Sequence, residues 1–335
     1  ASGGSAAAVA DGMLPLAEGT DGGGSIRIPS AWCGVYGYKA SFGRVPSIIR
    51  PNAFGGDTPF VFEGTITRTV DDAALALNAL SGYDARDPYS IDEVRDFSKE
   101  IDRPIDGWKI AYSPNFDVFP MDKEIEYVVG NAVQSFEEAG ARVEEVKVGI
   151  HHSQQELSDL WCRLITPMNI ATFETFKHAG IDLLTDHRED FPPEYLRWMD
   201  KGYTMTTVSF FRDQEIRSEI YDAMQSVLEE YDLLITPTVA CMPVDNTADG
   251  NTMGPKEIGG ESVDPLIGWC LTYFVNFTGH PAASIPAGMN ADNLPIGMQI
   301  IGRRYADQDV LTASRVFESL RPWVTTYQLC ANRDL

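Results

Sequence analysis

Residues 21–46 read DGGGSIRIPSAWCGVYGYKASFGRVP, and ASGGSAAAVADGMLPLAEGT at 1–20 leads directly into them. At the centre lies Ser25, preceded by Gly22, Gly23 and Gly24. Three glycines let the backbone bend so that successive N–H groups face one point, which makes an anion-binding nest. A serine beside such a nest is placed to attack a carbonyl carbon while the N–H groups hold the oxyanion. Gly-Gly-Gly-Ser by itself is equally the composition of a flexible turn, so the reading rests on its surroundings. Residues 3–11, GGSAAAVAD, are predicted to form an alanine-rich helix that Gly12 ends. MLPLAEGT at 13–20 then reads as a short buried strand delivering Asp21 and the glycine loop. Asp21 and Arg27 flank the loop with opposite charges and are predicted to pin it structurally by an ion pair.

Taken together, GGSAAAVAD, GTDGGGSIRIPSAWCGVYGYK and FGRVP resemble the signature of the amidase signature family, serine hydrolases of amide bonds. The likeness runs from Ser2 to Pro46 and recurs in EGTITRTVDDAALALNALSGYDARDP, EEYDLLITPTVACMP and YFVNFTGHPAASIPAGMNADNLPIGMQIIG. The resemblance implies a Ser-Ser-Lys triad, with an acylating serine, a relay serine in a cis peptide bond and a lysine base. It places the nucleophile at Ser25, the oxyanion N–H groups on Gly22, Gly23 and Gly24, and Ser2 in structural support. The relay position falls on Ala1, which has no hydroxyl. The family's lysine lies upstream of the signature, where this chain has no residues, so the expectation is a sequence truncated at its N-terminus and inactive as it stands. Ala1 reads equally as an engineered substitution, a natural variant or an incompletely determined position.

The 335 residues carry 49 acidic and 26 basic side chains, a net charge of −23, with a pI near 4.5. That charge favours solubility and argues against nucleic-acid or anionic-membrane binding. Its ordinary meaning is solvated acidic faces, with adaptation to high salt as the other reading. Five cysteines, Cys33, Cys162, Cys241, Cys270 and Cys330, are odd in number and form no CxxC pair, so they read as reduced thiols. No apolar run reaches the roughly 18 residues of a membrane span.

Along the chain, residues 51–62 read as irregular and 63–88 as an N-capped helix with Ala73, Leu77 and Leu80 on one face, stopped by Gly82. Residues 86–106 are charged and read as a surface wrap. A strand at 107–114, a helix from 124 to Gly140 and a second strand make a βαβ rhythm. His151 and His152 are adjacent but have no carboxylate or cysteine at ligand spacing, and read as a polar loop. Residues 157–201 are helical and rich in large side chains; among them Trp161 and Met168 are candidates for one wall of the substrate pocket. A long helix covers 205–230, a mobile loop 245–264, and a strand, turn, strand and helix close the chain. His280 is not read as a base, and no GxSxG is present.

The sequence therefore predicts one α/β amidase-signature domain over 1–335, with a mixed central β-sheet flanked by helices on both faces, the catalytic signature at 1–46 and pocket helices at 157–201. The predicted reaction is hydrolysis of a carbon–nitrogen amide bond through a seryl acyl-enzyme, with no cofactor and no metal. The partner is a small-molecule amide, without nucleic acid or membrane, in the cytoplasm, and a homodimer is admitted. Two alternatives stand beside it: the A-type subunit of a glutamine-dependent amidotransferase, and a catalytically silent relative with a binding role.

Overall fold

The computed structural model describes residues 1–328. The chain begins with α1 (Gly3–Ala10), β1 (Leu16–Asp21), α2 (Arg27–Cys33), β2 (Tyr36–Lys39), β3 (Phe62–Thr67) and α3 (Val70–Leu80). Next come β4 (Lys109–Tyr112), α4 (Lys123–Glu138), β5 (Arg142–Glu145), α5 (Gln154–His178), α6 (Leu183–Asp186), α7 (Pro193–Gly202), α8 (Thr207–Glu230) and β6 (Leu233–Pro237). A hairpin of β7 (Glu257–Ile258) and β8 (Glu261–Ser262) precedes α9 (Tyr273–Thr278), β9 (Ala282–Met289), β10 (Pro295–Gly302) and α10 (Asp307–Leu320).

Eight strands form one mixed sheet in the order β1-β3-β2-β9-β10-β6-β4-β5. The pairs from β1 through β6 are antiparallel, while β6–β4 and β4–β5 are parallel, as the βαβ rhythm of β4, α4 and β5 requires. Helices cover both faces, and β2 shows why. Successive strand side chains point to opposite faces. The hydroxyls of Tyr36 and Tyr38 reach Ser314 and Asp307 on α10, whereas a Cβ on Gly37 would meet Ser30 of α2 at 2.3 Å. One face thus carries α10 and the other α2, and the missing side chain at 37 lets α2 lie close.

Three sequence expectations change. The strand near 13–20 is β1, whose residues alternate exposed and buried, because it is an edge strand with one covered face. The predicted helix at 63–88 is preceded by β3, which the threonine-rich, β-branched GTIT favours; the helix starts only at Val70, where Thr69 caps it by accepting from the N–H of Asp72. The segment 245–264 is structured in its second half, where Gly254 donates to the Pro265 carbonyl and lies against the Trp269 indole, itself stacked on Trp32 of α2 at 4.8 Å, and β7 pairs with β8, while 245–250 are exposed. Cys162, Cys241 and Cys270 are free, buried thiols, and Cys330 lies outside the described residues. Among the described residues no helix is long and apolar enough to cross a membrane.

Candidate active site

β1 ends at Asp21 and α2 begins at Arg27, so residues 22–26 make the turn that presents Ser25. Asp21 is fully buried and holds the turn from inside: one carboxylate oxygen accepts the Gly24 N–H at 2.7 Å and the other that of Ile26 at 3.3 Å. The Arg27 guanidinium, equally buried, returns to both oxygens at 2.8 and 3.0 Å. Its remaining N–H groups go to the Thr272 carbonyl at 2.9 Å, Gln299 Oε1 at 2.5 Å and Asn276 Oδ1 at 2.7 Å. Asn276 in turn donates to the Asp21 carbonyl at 2.8 Å and carboxylate at 3.0 Å. A buried ion pair stands only when its hydrogen bonds are filled, and here all five guanidinium donors are. Burial by itself pushes the Asp21 carboxyl up, but the charge and hydrogen bonds of Arg27 prevail and hold it at about 2.

The peptide planes of the turn are also fixed from outside. The Gly23 carbonyl accepts from the Thr272 hydroxyl at 2.7 Å, and the Gly22 carbonyl from the Trp161 indole N–H at 3.0 Å. Gly24 has φ +124, and a Cβ there would lie 2.1 Å from the Thr272 hydroxyl, so both backbone and packing require glycine. Its N–H is engaged with Asp21, which removes Gly24 from the predicted oxyanion set. The N–H groups of Gly22, Gly23 and Ser25 have no acceptor among the described residues. Ser25 itself is half-buried beside them.

Ser2 donates its N–H to the Ser25 carbonyl at 2.8 Å and clasps Thr20 through its hydroxyl, so Ala1 stands next to the serine turn although 24 positions separate the two in sequence. Lys39 is the one lysine between 1 and 46, but its ammonium donates to the carbonyls of Ala40 and His280 and lies 3.5 Å over the Phe62 ring. Burial drives its pKa well below the usual lysine range. His280 is buried, bonded to Thr278 and stacked on Tyr221; burial, with Lys39 and Arg304, lowers its pKa to about 3. His152 pairs with Glu156 and Glu219, and no cluster of three metal-ligating side chains occurs among the described residues.

Helix α5 separates the two predicted pocket residues. Trp161 is committed to the glycine turn, its ring so close that a Cβ on Gly23 would fall 2.8 Å away. Met168, two turns on and so roughly 10 Å along the axis, lines an open cavity of about 510 Å³ together with Ile49, Pro51, Phe54, Phe176 and Phe210. Ile165, between them, faces Gly22. Thr272, Asn276 and Gln299 were missed by sequence reasoning. The signal was there, an amide inside the apolar run YFVNFT and another inside GMQIIG, because buried polar side chains need partners.

A family model described as Amidase matches residues 1–311. The chain is 34% identical over 319 residues to an acylamidase of Rhodococcus erythropolis, covering 95% of this chain and 64% of that protein. It is 32% identical over 341 residues to the A-type subunit of the glutamyl-tRNA(Gln) amidotransferase of Persephonella marina, covering 96% and 66%. Among solved structures, a bacterial aryl acylamidase of the amidase signature family superposes with TM-score 0.97 at 49% identity, over 100% of this chain and 68% of that one. The chain thus spans about two thirds of the length of these relatives.

Proposed function

Because the chain belongs to the amidase family, we propose that it carries the nucleophile of an amide hydrolase that works through a seryl acyl-enzyme. Ser25 Oγ attacks the amide carbon, the carbonyl π pair moves to oxygen, and the N–H groups of Gly22 and Gly23, with that of Ser25, receive the oxyanion. Collapse breaks the C–N bond, the serine proton leaves on the amine, and water then cleaves the Ser25 ester to a carboxylic acid. The observation that carries this reading is the conjunction at one turn of a half-buried serine with N–H groups that have no acceptor among the described residues, on a backbone pinned by Asp21 and Arg27.

The 49% identity to an aryl acylamidase, against 28% to the A-type amidotransferase chain of Thermotoga maritima, favours a small amide substrate over transamidation. The 510 Å³ cavity beside α5 serves as the pocket for that substrate's apolar part. The buried free thiols of Cys162, Cys241 and Cys270 suit a reducing cytoplasm. Ala1 occupies the relay position, so proton transfer is the weak step. The test is amide turnover by the full-length protein in three forms. Ser25→Ala is expected to abolish turnover, since removing a triad nucleophile costs on the order of 10⁶. Ala1→Ser is expected to raise acylation roughly 10²- to 10⁴-fold, the worth of general acid–base assistance. A Ser25→Ala form that keeps a tenth of the starting rate sinks the assignment.

A further inference from the structure

We propose that Trp161 is a positioning residue for the oxyanion site, acting through the Gly22–Gly23 peptide rather than as a wall against which substrate packs; this rests on the amide-hydrolase reading above. A peptide unit is planar and trans, so fixing its carbonyl fixes the opposed N–H. The Trp161 indole N–H holds the Gly22 carbonyl at 3.0 Å, and the same peptide unit carries the Gly23 N–H, one of the groups without an acceptor among the described residues. With the carbonyl turned toward α5, the Gly23 N–H is directed to the other side of the peptide.

The neighbouring peptide shows what a fully tethered unit becomes. Between Gly23 and Gly24 both ends are held, the carbonyl by Thr272 and the N–H by Asp21, so that unit is immobile but its donor is consumed. The Gly22–Gly23 unit instead combines a fixed carbonyl with an uncommitted donor. Three consecutive glycines leave that unit free to rotate, because no Cβ restricts them. The indole supplies the restriction twice, by its hydrogen bond and by its ring, which fills the place a Gly23 side chain would take. Trp161 is only partly buried, yet its polar atom points into the turn and not toward the 510 Å³ cavity, which other α5 residues line.

An interaction that orients a donor toward charge developing in the transition state changes kcat, whereas a pocket wall changes KM. The full-length protein is compared with Trp161→Phe, which keeps a ring, and with a form in which benzothienylalanine replaces Trp161, which keeps the bicyclic shape and lacks only the N–H. Steady-state kcat and KM are measured with one good amide, and affinity with a trifluoromethyl ketone, whose adduct on a serine carries the oxyanion. Removing an oxyanion donor outright costs about 10²- to 10³-fold. Loosening one is expected to lower kcat at least tenfold in both variants and to weaken the ketone by the same factor, with KM within about twofold. A rise in KM at constant kcat, or a ketone bound equally well by all forms, overturns the positioning role while leaving amide hydrolysis standing. Failure of the ketone to form an adduct on Ser25 in the unmodified protein overturns both.

Discussion

At the Asp21 carboxylate, the balance between burial and charge decides the outcome, and Arg27 wins. Its folded-state pKa of about 2 lies below the ordinary 3.8. A depressed carboxyl contributes stability that is fully present above about pH 4 and disappears as pH falls through about 2. At about 1.36 kcal/mol per pH unit the contribution is about 2 kcal/mol. Asp21→Asn removes it and leaves the Arg27 charge buried without its partner, a loss of about 3–5 kcal/mol. Urea unfolding between pH 5 and 2 is expected to show the variant less stable at pH 5 and with a shallower decline toward pH 2. Parallel pH profiles for the two proteins would mean that the pair does not hold the turn.

Helix α5 makes two different contacts along its length, the indole that meets the glycine turn and the side chains that line the cavity. Met168→Trp adds bulk to the cavity and leaves Trp161 in place, so it is expected to raise KM for amides with a large apolar group roughly tenfold, within the range a pocket contact commands. For the smallest amides it is expected to leave kcat unchanged. Equal kinetics with both substrate sizes would show that the cavity lies off the reaction path. The helices of this region were legible because helix signals are local; Ser153 and Thr206, which sequence reasoning did not single out, cap α5 and α8 through their hydroxyls. β3 was not, because GTIT adjoins a strong helix signal that swallowed it. The division of labour between Trp161 and Met168 was illegible for another reason: both are large and apolar, and which one bonds the turn depends on where Gly22 lies in space.

Across the whole molecule, the serine turn depends on residues far along the chain. Arg27 reaches Thr272, Asn276 and Gln299, and Gln299 continues to Thr236, so β6, α9 and β10 brace the turn between β1 and α2 that carries the proposed nucleophile. The charged composition, with its net −23, sets solubility and says nothing of this closure. The glycine turn that presents Ser25 was readable from its signature; the engagement of the Gly24 N–H by Asp21 was not, since it follows from a carboxylate that turns back on its own loop. The claim on which everything else depends is that Ser25 Oγ forms the covalent bond to substrate. Treating the full-length protein with a fluorophosphonate and mapping the adduct by peptide mass spectrometry tests it directly. The expected result is a single modification on the peptide containing Ser25, lost in Ser25→Ala; stoichiometric labelling of another residue, with Ser25 unmodified, would contradict it.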